Sequence, residues 1–269
     1  MKLRIQHDSI AVYCEDYPTV NWANPKVEDF QLREGTHVWL VDNKTFTTKE
    51  VAAFWEVLSF KEKEKALRFH FERDRKRYVL THGILRKLIG KYFKTQDELM
   101  FSENEFGKPY LVQYNIDSKT LFEFNISHSS NLILMAFRFS EHVVLDSEFQ
   151  VGIDIEKVQQ DFDFELILDN FFSKKEIESI HSSTIPNNAF FNFWTKKEAL
   201  VKAAGRGLMR NLNQFDLSKK KNKWDLDREV FLKFNSNNFF LHSFKIENYV
   251  ASIALMSDDS PFSFFKYKN

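Results

Sequence analysis

From residue 151 to 157 the chain alternates: Val151, Ile153 and Ile155 are apolar, and Gly152, Asp154 and Glu156 stand between them. A period of two belongs to a strand, so both carboxylates share one face and the isoleucines the other. Further runs with strand-like composition fall at 122–127, 132–137, 230–234, 239–244 and 249–255. Two other regions read as helix pairs. In the first, Leu58 through Lys65 opens a charged helix, and a second runs through Arg77–Leu80 to Ile89 with Gly90 as its stop. In the second, Ser173 caps a helix beginning at Lys174, and another runs from about Asn188 to Ala204 with Gly205 as its stop. In each half a helix pair is followed by strands, so the expected fold is α+β: two subdomains of similar plan, 1–148 and 149–269, joined near 146–151.

Composition narrows the function classes. With 269 residues, 43% of them hydrophobic, the chain can bury a substantial core. Its 38 basic and 38 acidic residues cancel, which removes any global field toward nucleic acid or anionic membrane. Cys14 is the only cysteine, so no intramolecular disulfide and no cysteine-rich zinc site is available, which fits a reducing cytoplasm. The segment from Met1 to Asp8 lacks a signal peptide's apolar core, and no run approaches a membrane span. Thirty phenylalanines, with Trp22, Trp39 and Trp55, read as aromatic core.

Against that background the acids stand out. Asp154 and Glu156 follow a glycine, which lets another backbone or a ligand approach closely. Glu198 and Lys202 are four residues apart and therefore neighbours on one helix face. Oxygen-only ligands suit Mg²⁺, a hard ion that takes one or two carboxylates and keeps waters or phosphate oxygens elsewhere, so a phosphate-bearing substrate is the natural partner. Lys202 can neutralise such a phosphate. In Phe124–Ser129 the hydroxyls of Ser127 and Ser129 and the imidazole of His128 can donate to anionic oxygens, and Lys108 is restrained between Gly107 and Pro109.

Taken in order, Gly107-Lys108-Pro109, Phe124 through Ser129, Gly152 through Glu156, and Trp194 through Lys202 with Gly205-Arg206-Gly207-Leu208 resemble the motifs of the Sfp-type 4′-phosphopantetheinyl transferases. The resemblance covers about residues 58 to 208. The resemblance implies a pseudo-twofold α+β architecture with coenzyme A and Mg²⁺ held in the cleft between the halves. It implies an Mg²⁺-dependent transfer of phosphopantetheine from coenzyme A to a serine of an apo acyl or peptidyl carrier protein, with release of adenosine 3′,5′-bisphosphate. On that pattern Asp154, Glu156 and Glu198 hold Mg²⁺, and Glu198 is also the candidate to take the serine proton. Lys202 meets a non-bridging phosphate oxygen, while Lys108 and His128 bind phosphates of the nucleotide, the 3′-phosphate among them. Ser127 belongs to the same binding set, and Lys65, Arg68 and Arg77 fall where the family has further phosphate contacts. The chain is longer before residue 58 than compact members, and the resemblance assigns that part no role.

The chain is thus expected to act in the cytoplasm as a monomer, without nucleic-acid or membrane partners. Two other classes share features with it: a metal-dependent nuclease, which the neutral charge disfavours, and a non-catalytic coenzyme-A-binding scaffold, which would be expected to lack a metal ligand.

Overall fold

The computed structural model describes residues 9–17, 19–31, 35–95, 99–112, 121–140, 150–205, 212–225, 238–256 and 261–268. The strand expected at 230–234, the Arg206-Gly207-Leu208 end of the fourth motif, residues 1–8 and most of the junction expected near 146–151 lie outside them.

Two main sheets organise the chain. The first runs β11-β2-β6-β5, from β2 (Gly35–Asp42), β5 (Leu121–Ser129), β6 (Leu132–Ser140) and β11 (Phe262–Lys266). The second runs β7-β10-β9-β1-β8, from β1 (Ser9–Tyr17), β7 (Val151–Lys157), β8 (Lys221–Asp225), β9 (Asn238–Ile246) and β10 (Tyr249–Leu255). A short hairpin joins β3 (Phe101–Glu103) to β4 (Pro109–Leu111). Helices α1 (Thr48–Glu56), α2 (Phe60–Leu67) and α3 (Glu72–Phe93) precede this hairpin, and α4 (Glu165–Phe171), α5 (Lys174–His181) and α6 (Pro186–Ala204) follow β7.

Alternation along the strands builds the layers. Trp39 and Val41 of β2 join Met135 and Phe137 of β6 in a core with Phe54 of α1 and Leu80, Ile84 and Leu88 of α3. The opposite face of the same strands carries Val38, Leu40, Leu134 and Ala136, which pack on Ile153, Ile155, Phe244 and Ile253 of the second sheet. Each such fully buried aliphatic contributes about 1.5–3 kcal/mol, so this shared core holds the sheets together. The far face of the second sheet packs Val12, Leu241 and Ala254 on Ala199, Val201 and Ala203 of α6.

The pseudo-symmetry extends to the helix pairs. Ser59 caps α2 in a box with Glu62, and Glu62 receives Arg86 of α3 at 2.8 Å. Ser173 caps α5 in the same way with Glu176, which receives Lys197 of α6 at 2.9 Å. Each glutamate closes its own helix start and pins the following helix.

The sheets differ from the sequential halves 1–148 and 149–269 at the ends of the chain. β1 sits in the second sheet between β9 and β8, and β11 crosses to pair in parallel with β2 of the first. Residues 1–57 therefore supply a strand to each sheet. The first helix pair also ends later than Gly90: α3 continues to Phe93 and stops at Lys94, whose φ of 49° is left-handed. Gly90 instead offers its carbonyl to Thr95 N–H at 3.1 Å, the bond that closes the helix end.

Candidate active site

The site begins where the two sheets meet edge to edge. β5 and β7 run side by side, but side chains and not a backbone ladder join them. Asn125 Oδ1 accepts from Ile153 N–H at 2.9 Å, Ser127 Oγ donates to Asp154 Oδ1 at 2.8 Å, and Ser129 Oγ donates to Glu156 Oε2 at 2.8 Å while accepting from Lys157 N–H at 3.0 Å. Residues 125, 127 and 129 share one face by the period of two. The serines do donate to anionic oxygens, as their chemistry suggests, and those oxygens are the protein's own carboxylates.

Helix α6 closes over the acidic face of β7. A Cβ built on Gly152 would lie 2.1 Å from the Ala199 carbonyl and 2.3 Å from the Ala203 nitrogen, so the backbone that approaches this glycine is the helix. Its cross-strand neighbours on β10 are also small, Ala254 opposite Gly152 and Ser252 opposite Asp154. Thr195 Oγ1 lies 2.9 Å from Ser252 Oγ, and this contact fixes the helix on the sheet.

Lys202 is drawn inward by this docking. Its ammonium donates to Asp154 Oδ1 at 2.6 Å, Ser127 Oγ at 3.1 Å and the Ile153 carbonyl at 3.2 Å, which uses all three of its donors. Asp154 is 4% exposed, and its other oxygen, Oδ2, is buried with no hydrogen-bond partner among the described residues. Glu198 Oε1 is buried and unpartnered in the same way. Burial, with Asp154 and then Glu156 nearby, pushes the Glu198 carboxyl up to about 7 although Lys202 opposes the shift. Burial also raises Glu156, against the hydrogen bond from Ser129.

Asp154, Glu156, Glu198, Lys202, Ser127 and His128 line one cavity of about 390 Å³, with Trp194 and Ile126 as its apolar wall. An adjoining cavity of about 290 Å³ shares Ile126, Glu198 and Lys202 and continues to Phe106, Gly107 and Lys108. Among the described residues no group of three or more His, Cys, Asp or Glu side chains is gathered tightly enough to hold a metal by itself. The two orphaned carboxylate oxygens are nevertheless hard donors, of the kind and number Mg²⁺ requires when phosphate and water complete its shell.

Of the other predicted residues, His128 lines the first cavity and Lys108 the adjoining one, while Lys65 and Arg68 stand further out. Lys108 follows Gly107, whose φ of 82° turns the β3–β4 hairpin, and its ammonium donates to the Val151 carbonyl at 3.1 Å and lies 3.7 Å from Glu123. Burial holds that ammonium below its usual range, and Glu123 opposes this. Asn104 ties the hairpin to α6 by donating to the Gly205 carbonyl at 2.8 Å. Burial first, and then the charges of Arg77 and Lys202, keep His128 below the usual imidazole value. Arg77 donates to Asp74 at 2.8 Å. Lys65, paired with Glu103 at 3.6 Å, and exposed Arg68 lie near the end of α2 and line neither cavity.

Three contributors escaped the sequence reading: Asn125 as a brace for β7, Trp194 as a cavity wall, and the Glu176–Lys197 pair. The alternation of Asn125, Ser127 and Ser129 was the available signal for the first. Nothing local marks Lys197 as buried.

Comparison with known proteins identifies the family. Residues 150–254 match the model of the 4′-phosphopantetheinyl transferase superfamily, and residues 45–140 match that of the 4′-phosphopantetheinyl transferase N-terminal region. The chain is 33% identical over 186 residues to 4′-phosphopantetheinyl transferase HetI of Nostoc sp., which covers 66% of this chain and 72% of the relative. It is 29% identical over 178 residues to 4′-phosphopantetheinyl transferase Sfp of Bacillus subtilis, 65% and 72% of the two chains. It is 32% identical over 169 residues to the L-aminoadipate-semialdehyde dehydrogenase-phosphopantetheinyl transferase of Mus musculus, 58% and 52%. The Asp154, Glu156, Glu198 and Lys202 cluster falls within the first family match and Lys108, Ser127 and His128 within the second, and the chain belongs to the 4′-phosphopantetheinyl transferase family.

Proposed function

We propose that this transferase moves the 4′-phosphopantetheine group of coenzyme A onto a serine hydroxyl of an apo acyl or peptidyl carrier protein, with Mg²⁺, and releases adenosine 3′,5′-bisphosphate. The observation that carries the reading is the pair of buried, unpartnered oxygens, Asp154 Oδ2 and Glu198 Oε1, in a cavity that also holds Glu156 and Lys202. Asp154, Glu156 and Glu198 would hold the metal, which when bound neutralises charge on the pyrophosphate.

The chain's own residues perform the remaining work. Glu198, a carboxylate facing the cavity, would take the proton of the carrier serine. The serine oxygen then bonds to the β-phosphorus, the bond to the bridging oxygen breaks, and that electron pair leaves with the nucleotide. Lys202 exchanges one of its internal contacts for a phosphate oxygen, so its charge acts where negative charge grows. Ser127 holds Asp154 at the mouth where the phosphates enter. His128 and Arg77 take the nucleotide phosphates on one side and Lys108 on the other, with Lys65 and Arg68 further out along α2.

Among the described residues no helix is long and apolar enough to cross a membrane. Burial raises the Cys14 thiol to about 11 and leaves it a poor nucleophile.

The test compares coenzyme A with 3′-dephospho-coenzyme A across variants of His128, Arg77 and Lys108. At least one should lose its defect with the dephospho substrate, because the group it recognised is gone. Equal discrimination by every variant refutes the 3′-phosphate assignment. Transfer that survives exhaustive removal of divalent cations refutes the metal.

A further inference from the structure

We infer that the buried Glu176–Lys197 pair, which lines neither cavity, is a positioning device that sets the angle of α6 and thereby aims Glu198 into the site. The inference rests on the reading of Glu198 as a reacting group.

Lys197 and Glu176 are 1% and 0% exposed at their side chains and lie 2.9 Å apart. Every polar atom of the pair is engaged. The ammonium also donates to the carbonyls of Leu212 at 2.8 Å and Phe215 at 2.6 Å. The carboxylate also accepts from Ser173 N–H at 2.7 Å and Leu217 N–H at 2.9 Å. One ion pair therefore ties together the start of α5, the middle of α6 and the segment 212–217. Replacing such a pair by apolar groups is often neutral for stability, so stability alone gives little account of its presence.

Its position on the helix supplies the account. Lys197 precedes Glu198, and successive residues are about 100° apart around the axis. Pinning Lys197 toward α5 turns Glu198 toward the cavity and leaves Ala199 on Gly152. A carboxylate sits about 6 Å from the axis, so a 10° rotation of α6 moves it by about 1 Å, and a misplacement of that size can cost about 100-fold in rate. Gly152 and Thr195 fix the distance of the helix from the sheet, while the ion pair, on another side of the helix, resists rotation.

The matching pair Glu62–Arg86 is an internal control. It is built on the same capping box, with 2.8 Å between the partners, but pins α3, which carries none of the cavity's carboxylates.

The experiment uses the full chain with coenzyme A, Mg²⁺ and an accepting carrier, and compares Glu176→Gln/Lys197→Met with Glu62→Gln/Arg86→Met. Both double variants remove both charges together, and Gln can still serve the capping box. The first should lower kcat by about 10- to 100-fold with KM for coenzyme A within about threefold, and should speed amide exchange across Trp194–Lys202. The second should keep kcat within about twofold. Equal losses of kcat in both, or wild-type kcat and exchange in a folded first variant, overturn the inference. If the first variant does not fold, Glu176→Asp decides: it keeps the charge but shortens the reach, and unchanged kcat there also overturns it. If the wild-type chain transfers to no carrier, the functional reading fails, and the exchange of α6 still reports on the clamp.

Discussion

Replacing Gly152 by Ala perturbs the site through backbone contact alone. The added Cβ meets the Ala199 carbonyl at 2.1 Å, the Ala203 nitrogen at 2.3 Å and the Lys202 carbonyl carbon at 2.9 Å. These are main-chain atoms of α6, so no rotamer change relieves them. To restore even a tight contact of about 3.2 Å, the helix must retreat by about 1 Å. The same movement carries Glu198 and Lys202 away from β7, where Lys202 now lies 2.6 Å from Asp154. Overpacking of this kind costs about 1–3 kcal/mol in stability, and a 1 Å displacement of reacting groups about 100-fold in rate. The assay measures kcat and KM by intact mass of the carrier, with urea unfolding on the same samples. The expected variant is folded, 1–3 kcal/mol less stable by this estimate, and about 100-fold slower at saturating coenzyme A. Wild-type turnover with wild-type stability would refute the claim that α6 rests on Gly152 and that its depth governs the chemistry.

Other expectations follow from the same geometry. Glu198 titrates near 7 when folded, so ionising it without metal or substrate opposes folding: its contribution is intact below about pH 4.5 and is lost as pH rises through 7. Glu198→Gln should therefore be more stable than wild type by about 1–3 kcal/mol at pH 8 and equal at pH 4 in urea titrations, while losing transfer activity. Ala at Asp154, Glu156 or Glu198 should each abolish transfer with the fold kept, and a double substitution should be little worse than a single one if the three act as a unit; multiplying losses would count against a shared site. Lys202→Met strands a buried Asp154, so unfolding should show a loss of about 2–4 kcal/mol, largely recovered by adding Asp154→Asn, with turnover low in both.

The alternation at 151–157 was enough to assign faces, and the structure keeps the isoleucines in the core between the sheets and the acids toward α6. Ser173 marked the start of α5, and Gly205, with a φ of 67°, ends α6 where expected. What stayed hidden depends on tertiary partners. Nothing in the residues of β1 and β11 says which sheet each will join, because strand pairing over more than two hundred residues leaves no local pattern. The lysines show the same limit. Lys108, Lys197 and Lys202 look alike as cations in the sequence, yet one pairs with Glu123, one is fully buried on Glu176, and one spends its donors on Asp154, Ser127 and a carbonyl. Gly90 misled because a glycine near a helix end often terminates it, whereas here its carbonyl closes the turn and Lys94 takes the left-handed conformation.

The central claim is that one cavity joins two substrates, and the most direct measurement follows both products at once. Purified protein with Mg²⁺, coenzyme A and apo carriers from fatty acid, polyketide and nonribosomal peptide synthesis is sampled for the intact mass of the carrier and for released nucleotide. At least one carrier should gain a single phosphopantetheine at its serine, with an equal amount of adenosine 3′,5′-bisphosphate, and EDTA or Glu198→Gln should stop both. Coenzyme A that binds but is never consumed with any carrier, or nucleotide released without a modified serine, would contradict it.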